Sequence, residues 1–293
     1  MDRAKTLAGL MAGLLLAACS TRSPALMVAS KNFTEQIILG EIIAQHIERR
    51  LGQEVKRSLN LGGTLLAHRA LTLGQVDLYP EYTGTALTMI LKLGPESDPA
   101  LVWNRVNAEY QRRFKIEWMN PLGFDNSFAM VVRGETARAR RLATLSDAAA
   151  RAEGWEMAAG YEFMERPDGY PALMHAYRLK LRGPARTMDL GLLYKALVDN
   201  RVDLAAANAT DGALSKLDVK VLADDRRAFP PYQAAIAVRQ DSLARFPKLR
   251  AALEELSAKI SADTMRELNY RVEGDHKPAA EVAAAFLSEV GLR

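Results

Sequence analysis

Aromatic and hydrogen-bonding residues gather in six short stretches of the sequence, and each stretch adjoins a predicted β-strand. Tyrosine and phenylalanine rings can hold a quaternary ammonium group by cation–π attraction, worth about 0.5–2 kcal/mol per contact once water is excluded. An arginine such as Arg166 can bind a carboxylate through two parallel hydrogen bonds. The stretches therefore indicate a site for a small ligand that carries such groups. They are residues 30–36, 79–85, 123–128, 163–170, 208–212 and 229–232.

No catalytic or cofactor-binding motif accompanies these stretches. The sequence contains neither a G-x-S-x-G nucleophile turn nor a phosphate loop of the nucleotide-binding type. Its four histidines lie far apart without metal-ligand spacing, and its only cysteine is Cys19. We therefore predict a binding protein with no catalytic residues, no cofactor and no metal. An enzyme whose groups are scattered in sequence and gathered by the fold is the alternative.

Strand patterns and helix patterns alternate along the chain, which predicts an α/β fold. Clear examples are a helix through residues 34–50, a helix at 99–114 and a strand at 219–222. After the strand at 234–238 the chain is predicted to be mostly helical, with helices at 247–260 and 279–290.

The alternating pattern restarts with a strand at 128–132, so we predict two similar lobes with a ligand cleft between them. Ligands of open α/β sheets bind beyond the carboxyl ends of the strands, and two such ends can face each other across a cleft. The chain would cross between the lobes near residues 124–128 and 228–233. A single larger doubly wound sheet is the alternative.

The first eighteen residues have the pattern of an export signal. Arg3 and Lys5 precede an apolar stretch of about twelve residues, which is too short for a bilayer span of about 20. The sequence Leu16-Ala17-Ala18-Cys19 resembles a bacterial lipobox. We predict a lipoprotein signal peptide at 1–18, then an acylated Cys19 and a linker through residue 25. An ordinary signal peptide with an incidental cysteine is the alternative.

The composition is that of a globular protein, with 49% hydrophobic residues, 25% charged residues and a net charge of +4. Basic and acidic residues are interspersed, and no basic stripe with interleaved aromatics is present, so we expect no nucleic-acid partner. The predicted export places the mature chain in the periplasm or on the outer cell surface, attached to the membrane through Cys19. We expect a monomer.

Six strings of residues connect the chain to a known family: SKNFTEQ, LGGT, VDLYPEYTGT, RPDG, TDG and FPPY. They occur in the same order in the substrate-binding proteins of glycine betaine, carnitine and choline ABC importers, which the chain resembles over residues 26–293. The resemblance implies a type II periplasmic-binding fold, in which residues 26–126 and 231–293 form lobe 1 and residues 127–230 form lobe 2. It also implies a membrane permease and an ATPase as partners.

In that family an aromatic cage from both lobes surrounds a trimethylammonium group, and polar side chains bind the other end of the ligand. By position, Tyr82 and Tyr232 match cage residues, and Arg166 matches the carboxylate clamp. Phe128 and Asn208 stand where the family pattern has tyrosines, so one hydroxyl and one wall of the cage are absent. The remaining positions implied to contact the ligand are Lys31, Gln36, Thr85, Asn126, Thr210 and Asp211.

The sequence thus predicts the substrate-binding component of an ABC importer that captures glycine betaine, choline, carnitine or a similar quaternary ammonium compound. Asn208 leaves two interpretations open, namely weak binding of a simple methylated ammonium or a pocket shaped for a larger ligand. Alternatives with the same fold would bind a non-methylated amine, an amino acid or a larger betaine-like metabolite such as ergothioneine. A cell-envelope lipoprotein enzyme is the alternative from another class.

Overall fold

The computed structural model describes residues 25–292 except 95 and 152. The predicted signal peptide, the acylated Cys19 and the linker through residue 24 lie outside the described residues. Among the described helices, none has the length and apolar character that a membrane span requires.

The described strands form two five-stranded sheets. The first sheet has the order β2-β1-β3-β10-β4, and the second has the order β7-β6-β8-β5-β9. The strands are β1 (Leu26–Ala29), β2 (Val55–Ser58), β3 (Leu78–Tyr82), β4 (Ile116–Trp118), β5 (Phe128–Arg133), β6 (Met157–Ala159), β7 (Arg186–Thr187), β8 (Leu204–Asn208), β9 (Val219–Leu222) and β10 (Ala234–Arg239).

Helices connect these strands and cover the sheets. They are α1 (Thr34–Leu51), α2 (Thr64–Thr72), α3 (Thr83–Thr85), α4 (Pro99–Phe114), α5 (Gly134–Arg140), α6 (Leu145–Arg151), α7 (Tyr161–Glu165), α8 (Tyr170–Tyr177), α9 (Leu190–Val198), α10 (Gln240–Arg245), α11 (Leu249–Glu254), α12 (Ala262–Glu273) and α13 (Ala279–Glu289). A π-helical turn, Ala86–Ile90, follows α3, and a 3₁₀ helix, Gly212–Ser215, follows β8.

The chain leaves the first sheet after β4, builds the second sheet, and returns as β10, which lies antiparallel to both β3 and β4. The two crossing segments run side by side. The N–H of Asn126 donates to the carbonyl of Tyr232 at 3.1 Å, and the N–H of Tyr232 donates to Asp125 Oδ2 at 2.7 Å. The predicted two-lobed α/β fold is confirmed, and the alternative of one larger sheet is wrong. We call the parts built on the first and second sheets lobe 1 and lobe 2; their predicted boundaries stay predictions.

Helix α1 brings its first turn to the junction of the lobes. Its apolar residues Ile38, Ile42, Ile43 and Ile47 recur at helical spacing and are fully buried, so packing fixes both the axis and the rotation of the helix. Gly52 ends the helix in the left-handed conformation, with φ of 67°.

The C-terminal helices differ most from the sequence prediction. The helix predicted at 247–260 is too long, because α11 ends at Glu254 and Ala258 takes a left-handed φ of 54°. Helix α12 was not predicted as a separate helix, since Met265 and Leu268 are its only fully buried apolar residues. Ser261 begins α12 by accepting a hydrogen bond from the N–H of Thr264 at 3.1 Å.

Candidate functional site

Side chains from both lobes and from the first crossing segment converge on one buried carboxylate, that of Glu35 in the first turn of α1. Four uncharged groups donate hydrogen bonds to it. The hydroxyl of Tyr82, at the end of β3, lies 2.5 Å from Glu35 Oε1, and Asn126 Nδ2 lies 2.9 Å from the same oxygen. The hydroxyl of Thr210 donates to Oε2, and Asn269 Nδ2 donates to it at 3.2 Å. We call these five residues the Glu35 cluster.

The Glu35 cluster is a set of donors arranged around one acceptor. Only 2% of the Glu35 side chain is exposed, and this burial raises the pKa of Glu35, while the four hydrogen bonds oppose the rise. Because Tyr82 belongs to lobe 1 and Thr210 to lobe 2, both bonds exist together only when the lobes meet. The cluster therefore links lobe contact to the orientation of the Tyr82 ring.

The cation of Lys31 lies against the Tyr82 ring. Lys31 Nζ is 4.7 Å from the centre of Tyr82 and 5.8 Å from the centre of Phe33. It also makes a buried ion pair with Glu81 Oε1 at 2.5 Å. The N–H of Lys31 donates to Gln36 Oε1 at 3.2 Å. The predicted residues Lys31, Gln36 and Tyr82 thus lie together at the lobe 1 side.

On the lobe 2 side, the guanidinium of Arg166 forms a buried ion pair with Asp168. Nε and Nη2 donate to the two carboxylate oxygens at 2.9 and 2.7 Å. Asp168 also accepts hydrogen bonds from Thr88 at 2.6 Å and from Tyr232 at 2.7 Å. Thr85 accepts from Arg166 Nη1 at 3.2 Å. We call these five residues the Arg166 cluster, and it too connects the lobes, because Thr85 and Thr88 belong to lobe 1.

Four aromatic rings pack edge to face beside Arg166. The ring of Phe128 lies 4.8 Å from Phe163, 5.5 Å from Phe229 and 5.4 Å from Tyr232, measured between ring centres. Arg166 Cζ lies 5.2 Å from the centre of Phe128 and 5.4 Å from the centre of Tyr232. Two rings predicted to face a ligand cation are therefore also in contact with a cation of the protein. We call the four rings the aromatic group.

Gly84, in the predicted YTGT string, allows the second crossing segment to approach lobe 1 closely. A Cβ at Gly84 would lie 2.7 Å from the carbonyl oxygen of Pro231 and 2.7 Å from the Tyr232 ring. Any larger residue would displace Tyr232 from its place beside Phe128 and Arg166. The glycine thus serves close packing and not an unusual backbone angle.

Asn208 and Asp211 are turned towards each other and not towards either cluster. Asp211 accepts hydrogen bonds from the N–H of Asn208 at 3.0 Å, from Asn208 Nδ2 at 3.3 Å and from the hydroxyl of Tyr194 at 3.0 Å. Burial raises the pKa of Asp211 to about 6. These bonds fix the turn that presents Thr210 to Glu35. The predicted roles of Asn208 and Asp211 as direct ligand contacts stay predictions.

Several residues of the two clusters and of the aromatic group were missed from the sequence. Four of them belong to the six stretches already singled out, so the signal was present but attached to their neighbours; they are Glu35, Phe163, Asp168 and Phe229. Thr88 and Asn269 lie outside those stretches, and nothing in their sequence surroundings marks them. Within the described residues, no group of three or more histidine, cysteine, aspartate or glutamate side chains could hold a metal ion.

Comparisons with known proteins identify one family of transport proteins. The family described as the substrate binding domain of the ABC-type glycine betaine transport system matches residues 24–289. A carnitine transport binding protein of Listeria monocytogenes is 34% identical over 292 residues, covering 96% of this chain and 93% of the relative. An ergothioneine transport permease/ergothioneine binding protein of Helicobacter pylori is 37% identical over 270 residues, which cover 91% of this chain. The match covers 48% of that relative, so this chain spans about half its length.

Solved structures agree with this result. The crystal structure of a glycine betaine/carnitine/choline ABC transporter protein superposes with a TM-score of 0.81 and 31% identity, covering 91% of this chain and 99% of that one. The lactococcal glycine betaine complex has a TM-score of 0.62 at 14% identity, which shows the shared fold alone.

Proposed function

Because this chain belongs to the family of substrate-binding domains of ABC-type glycine betaine transport systems, we propose that it captures a quaternary ammonium compound between its two lobes and delivers it to a membrane permease. This family serves transport and is not a class of enzymes. Such domains work outside the cytoplasm, together with the permease and ATPase of the importer.

The observation that carries the proposal is the convergence of aromatic rings at the junction of the lobes. Phe128 and Phe163 of lobe 2 pack against each other, and Tyr232 of the second crossing segment packs against Phe128. Tyr82 of lobe 1 reaches the same junction through its hydrogen bond to Glu35, and its ring stacks on Phe33. Each face of such a ring attracts a desolvated cation by about 0.5–2 kcal/mol. Arg166 supplies a guanidinium for the carboxylate end of a betaine. We propose Lys31, Gln36, Thr85, Asn126 and Thr210 as the polar groups around them.

The proposed mechanism is capture by closure of the lobes. A ligand shifts the balance towards the closed form only through contacts that are better in that form. The ring of Tyr82, which we propose faces the ligand, meets this condition. Its hydroxyl donates to Glu35, and Glu35 also accepts a hydrogen bond from Thr210 of lobe 2, so the ring is held in place when the lobes are together. The permease then receives the ligand from the closed form.

A thermal-shift screen tests the proposal on the chain from residue 20, against glycine betaine, choline, carnitine, proline betaine, ergothioneine and a panel of amino acids. A ligand that binds only the folded state raises the melting temperature. We expect shifts from quaternary ammonium compounds and none from amino acids without methylated nitrogen. Shifts from amino acids alone would contradict the proposal.

The Tyr82→Ala variant tests whether Tyr82 belongs to the aromatic cage. We expect the affinity for a ligand found in the screen to fall about tenfold or more, which corresponds to about 1.4 kcal/mol. Tyr161→Ala is the matched control, because Tyr161 is an exposed tyrosine with 60% of its surface accessible. Unchanged affinity in Tyr82→Ala would remove Tyr82 from the cage.

A larger betaine is the second candidate ligand. Phe128 and Asn208 replace tyrosines of the family pattern, and the Helicobacter pylori relative is described as binding ergothioneine. Ergothioneine carries a trimethylammonium group, a carboxylate and a ring, so it would use the same cage and clamp. Competition calorimetry between ergothioneine and glycine betaine decides between them. Tighter binding of ergothioneine, together with loss of that preference in Asn208→Tyr, would favour the larger ligand.

We also propose that Cys19 carries a lipid anchor and that the mature chain is a monomer. Incorporation of labelled palmitate into the full chain, absent from Cys19→Ala, tests the anchor. Light scattering on the chain from residue 20 tests the oligomeric state, with a mass near that of one chain expected.

A further inference from the structure

The positive charge of Arg166 lies within the aromatic group that is proposed to hold the ligand cation. The side chain is only 5% exposed, and its guanidinium is in contact with both Phe128 and Tyr232. A ligand cation bound to the same rings would come close to this charge. Because Arg166 and the ligand cation would contact the same rings away from bulk water, repulsion between the two positive charges would lower the affinity by more than about tenfold.

Asp168 is placed to cancel that repulsion. It is 4% exposed, and its two oxygens accept from Arg166 in the parallel, two-bond geometry that gives the strongest ion pairs. The hydroxyls of Thr88 and Tyr232 complete its hydrogen bonding. The same two oxygens also occupy the fork of Arg166 that a ligand carboxylate would use.

We propose that Asp168 determines the ligand charge that this site accepts. It neutralises Arg166 so that a ligand with a cationic head and no carboxylate can bind beside the rings, and it competes with the carboxylate of a zwitterionic ligand for Arg166. This inference rests on the proposed function. It implies that Asp168 favours pure cations over betaines.

Choline and glycine betaine are suitable probes, because they share the trimethylammonium head and differ in carrying a hydroxyl or a carboxylate at the other end. Calorimetry with the wild type, Asp168→Asn and Thr88→Val gives the ratio of the two dissociation constants for each protein. In Asp168→Asn we expect that ratio to move about tenfold or more in favour of glycine betaine, because Arg166 is then both unneutralised and free for the carboxylate.

Thr88→Val is the matched control. It removes a hydrogen bond between the lobes to the same carboxylate but changes no charge. If Asp168 acted only by holding the lobes together, both variants would weaken choline and glycine betaine alike. We expect Thr88→Val to leave the ratio within about twofold of the wild type, since its effect on lobe contact is common to both ligands.

An Arg166→Met/Asp168→Asn double variant covers the case in which Asp168→Asn does not fold, because replacing a buried ion pair as a whole is far less costly than leaving one charge unpaired. In the double variant the affinity for glycine betaine should fall about tenfold or more relative to that for choline, because no guanidinium remains for the carboxylate, whereas weaker contact between the lobes affects both ligands alike. A wild-type ratio in the double variant, or an unchanged ratio in a folded Asp168→Asn, would overturn the inference. If the wild type binds neither compound nor any other quaternary ammonium compound of the screen, the proposed function itself fails and the inference falls with it.

Discussion

The Glu35 cluster and the Arg166 cluster both join lobe 1 to lobe 2, but the buried carboxylates at their centres have opposite electrostatic surroundings. Glu35 accepts hydrogen bonds from four uncharged groups, and burial raises its pKa. Asp168 is also buried, which by itself would raise its pKa, but hydrogen bonds and attraction from Arg166 hold that pKa below the usual range. One carboxylate is surrounded by dipoles, whereas the other is half of an ion pair.

This difference indicates that the two clusters have different roles. The four donors around Glu35 come from lobe 1, lobe 2 and the first crossing segment, so the cluster forms only when the lobes are together, and we expect it not to depend on the charge of the ligand. The Arg166–Asp168 pair lies in contact with two rings of the aromatic group, so a change there alters the electrostatic field at the ligand. Closure and charge selection would then depend on separate residues.

Glu35→Gln is expected to have the largest effect. The amide keeps the shape of the carboxylate but replaces one acceptor oxygen by an NH₂ group, so two of the four donors lose their acceptor. Each unsatisfied buried group costs about 1–3 kcal/mol, and we expect a total loss of about 2–4 kcal/mol shared between folding and ligand binding. Urea unfolding and calorimetry measure the two parts.

Glu48→Gln is the control for this change. Glu48 lies on the same helix and pairs with Arg57 at the surface, where an ion pair contributes about 0–1 kcal/mol. The comparison would break down if Glu35→Gln changed the ratio of choline to glycine betaine affinities while leaving their mean unaltered.

Gly212→Ala should hinder closure of the lobes without changing any side chain of the two clusters. Gly212 lies in lobe 2, and an added Cβ would lie 2.6 Å from the backbone nitrogen of Tyr270 in α12, across the junction of the lobes. Overpacking of this kind costs about 1–3 kcal/mol, and the lobes can relieve it by moving apart. We expect affinities for all ligands to fall by about tenfold or more, measured by calorimetry.

Gly183→Ala is the matched variant in lobe 2, since a Cβ there meets no atom within 4 Å. It should leave both affinity and stability unchanged. Equal affinities in Gly212→Ala and Gly183→Ala would mean that α12 moves aside and that contact at Gly212 plays no part in closure.

The frame that carries the two clusters was largely predictable from the sequence. Strand β9 and helix α4 have the bounds that their patterns predict, because the long amphipathic helix leaves a strong periodic signal and the sequence Val-Lys-Val-Leu marks a short strand. The six aromatic stretches also supply most of the residues that meet at the junction of the lobes. Local hydrophobic patterns and turn residues were sufficient to predict these helices, strands and stretches.

Pairing within the site could not be predicted, because it depends on distant parts of the chain. Glu35 bonds to Asn269 across 234 positions of sequence, and Asn269 lies on a helix whose buried face is too small to predict. Asp168 was visible in the RPDG string, but its partner Thr88 is 80 positions away. That Arg166 is already paired follows only from the three-dimensional arrangement.

Two aspartates, Asp211 and Asp168, should respond differently to pH. Asp211, which fixes the turn carrying Thr210, has a pKa raised to about 6 by burial. A carboxyl whose pKa is raised on folding contributes stability below its unfolded pKa of 3.8 and loses that contribution as pH rises to about 6. Relative to Asp211→Asn, the wild type should therefore lose about 1–3 kcal/mol between these pH values, towards the lower end because the carboxyl is only part-buried.

Urea unfolding at several pH values measures this loss. Asp168→Asn provides the contrast, because the pKa of Asp168 is lowered on folding and its contribution is lost only as pH falls below the usual aspartate range. Identical pH profiles for the two variants would contradict the opposite pKa shifts of these two aspartates.

Two tyrosine hydroxyls give the smallest and sharpest test. Tyr82→Phe removes one of four donors to Glu35, and Tyr232→Phe removes a hydroxyl that bonds both Asp168, at 2.7 Å, and Arg166, at 3.3 Å. Each change should cost about 1 kcal/mol while keeping the ring. Tyr82→Phe should weaken choline and glycine betaine equally, because it acts on closure. Tyr232→Phe should shift their ratio towards glycine betaine, because the Tyr232 hydroxyl, unlike that of Thr88, also accepts a hydrogen bond from Arg166, and its loss leaves that N–H free for a ligand carboxylate. Equal shifts in both variants would show that the two clusters act as one.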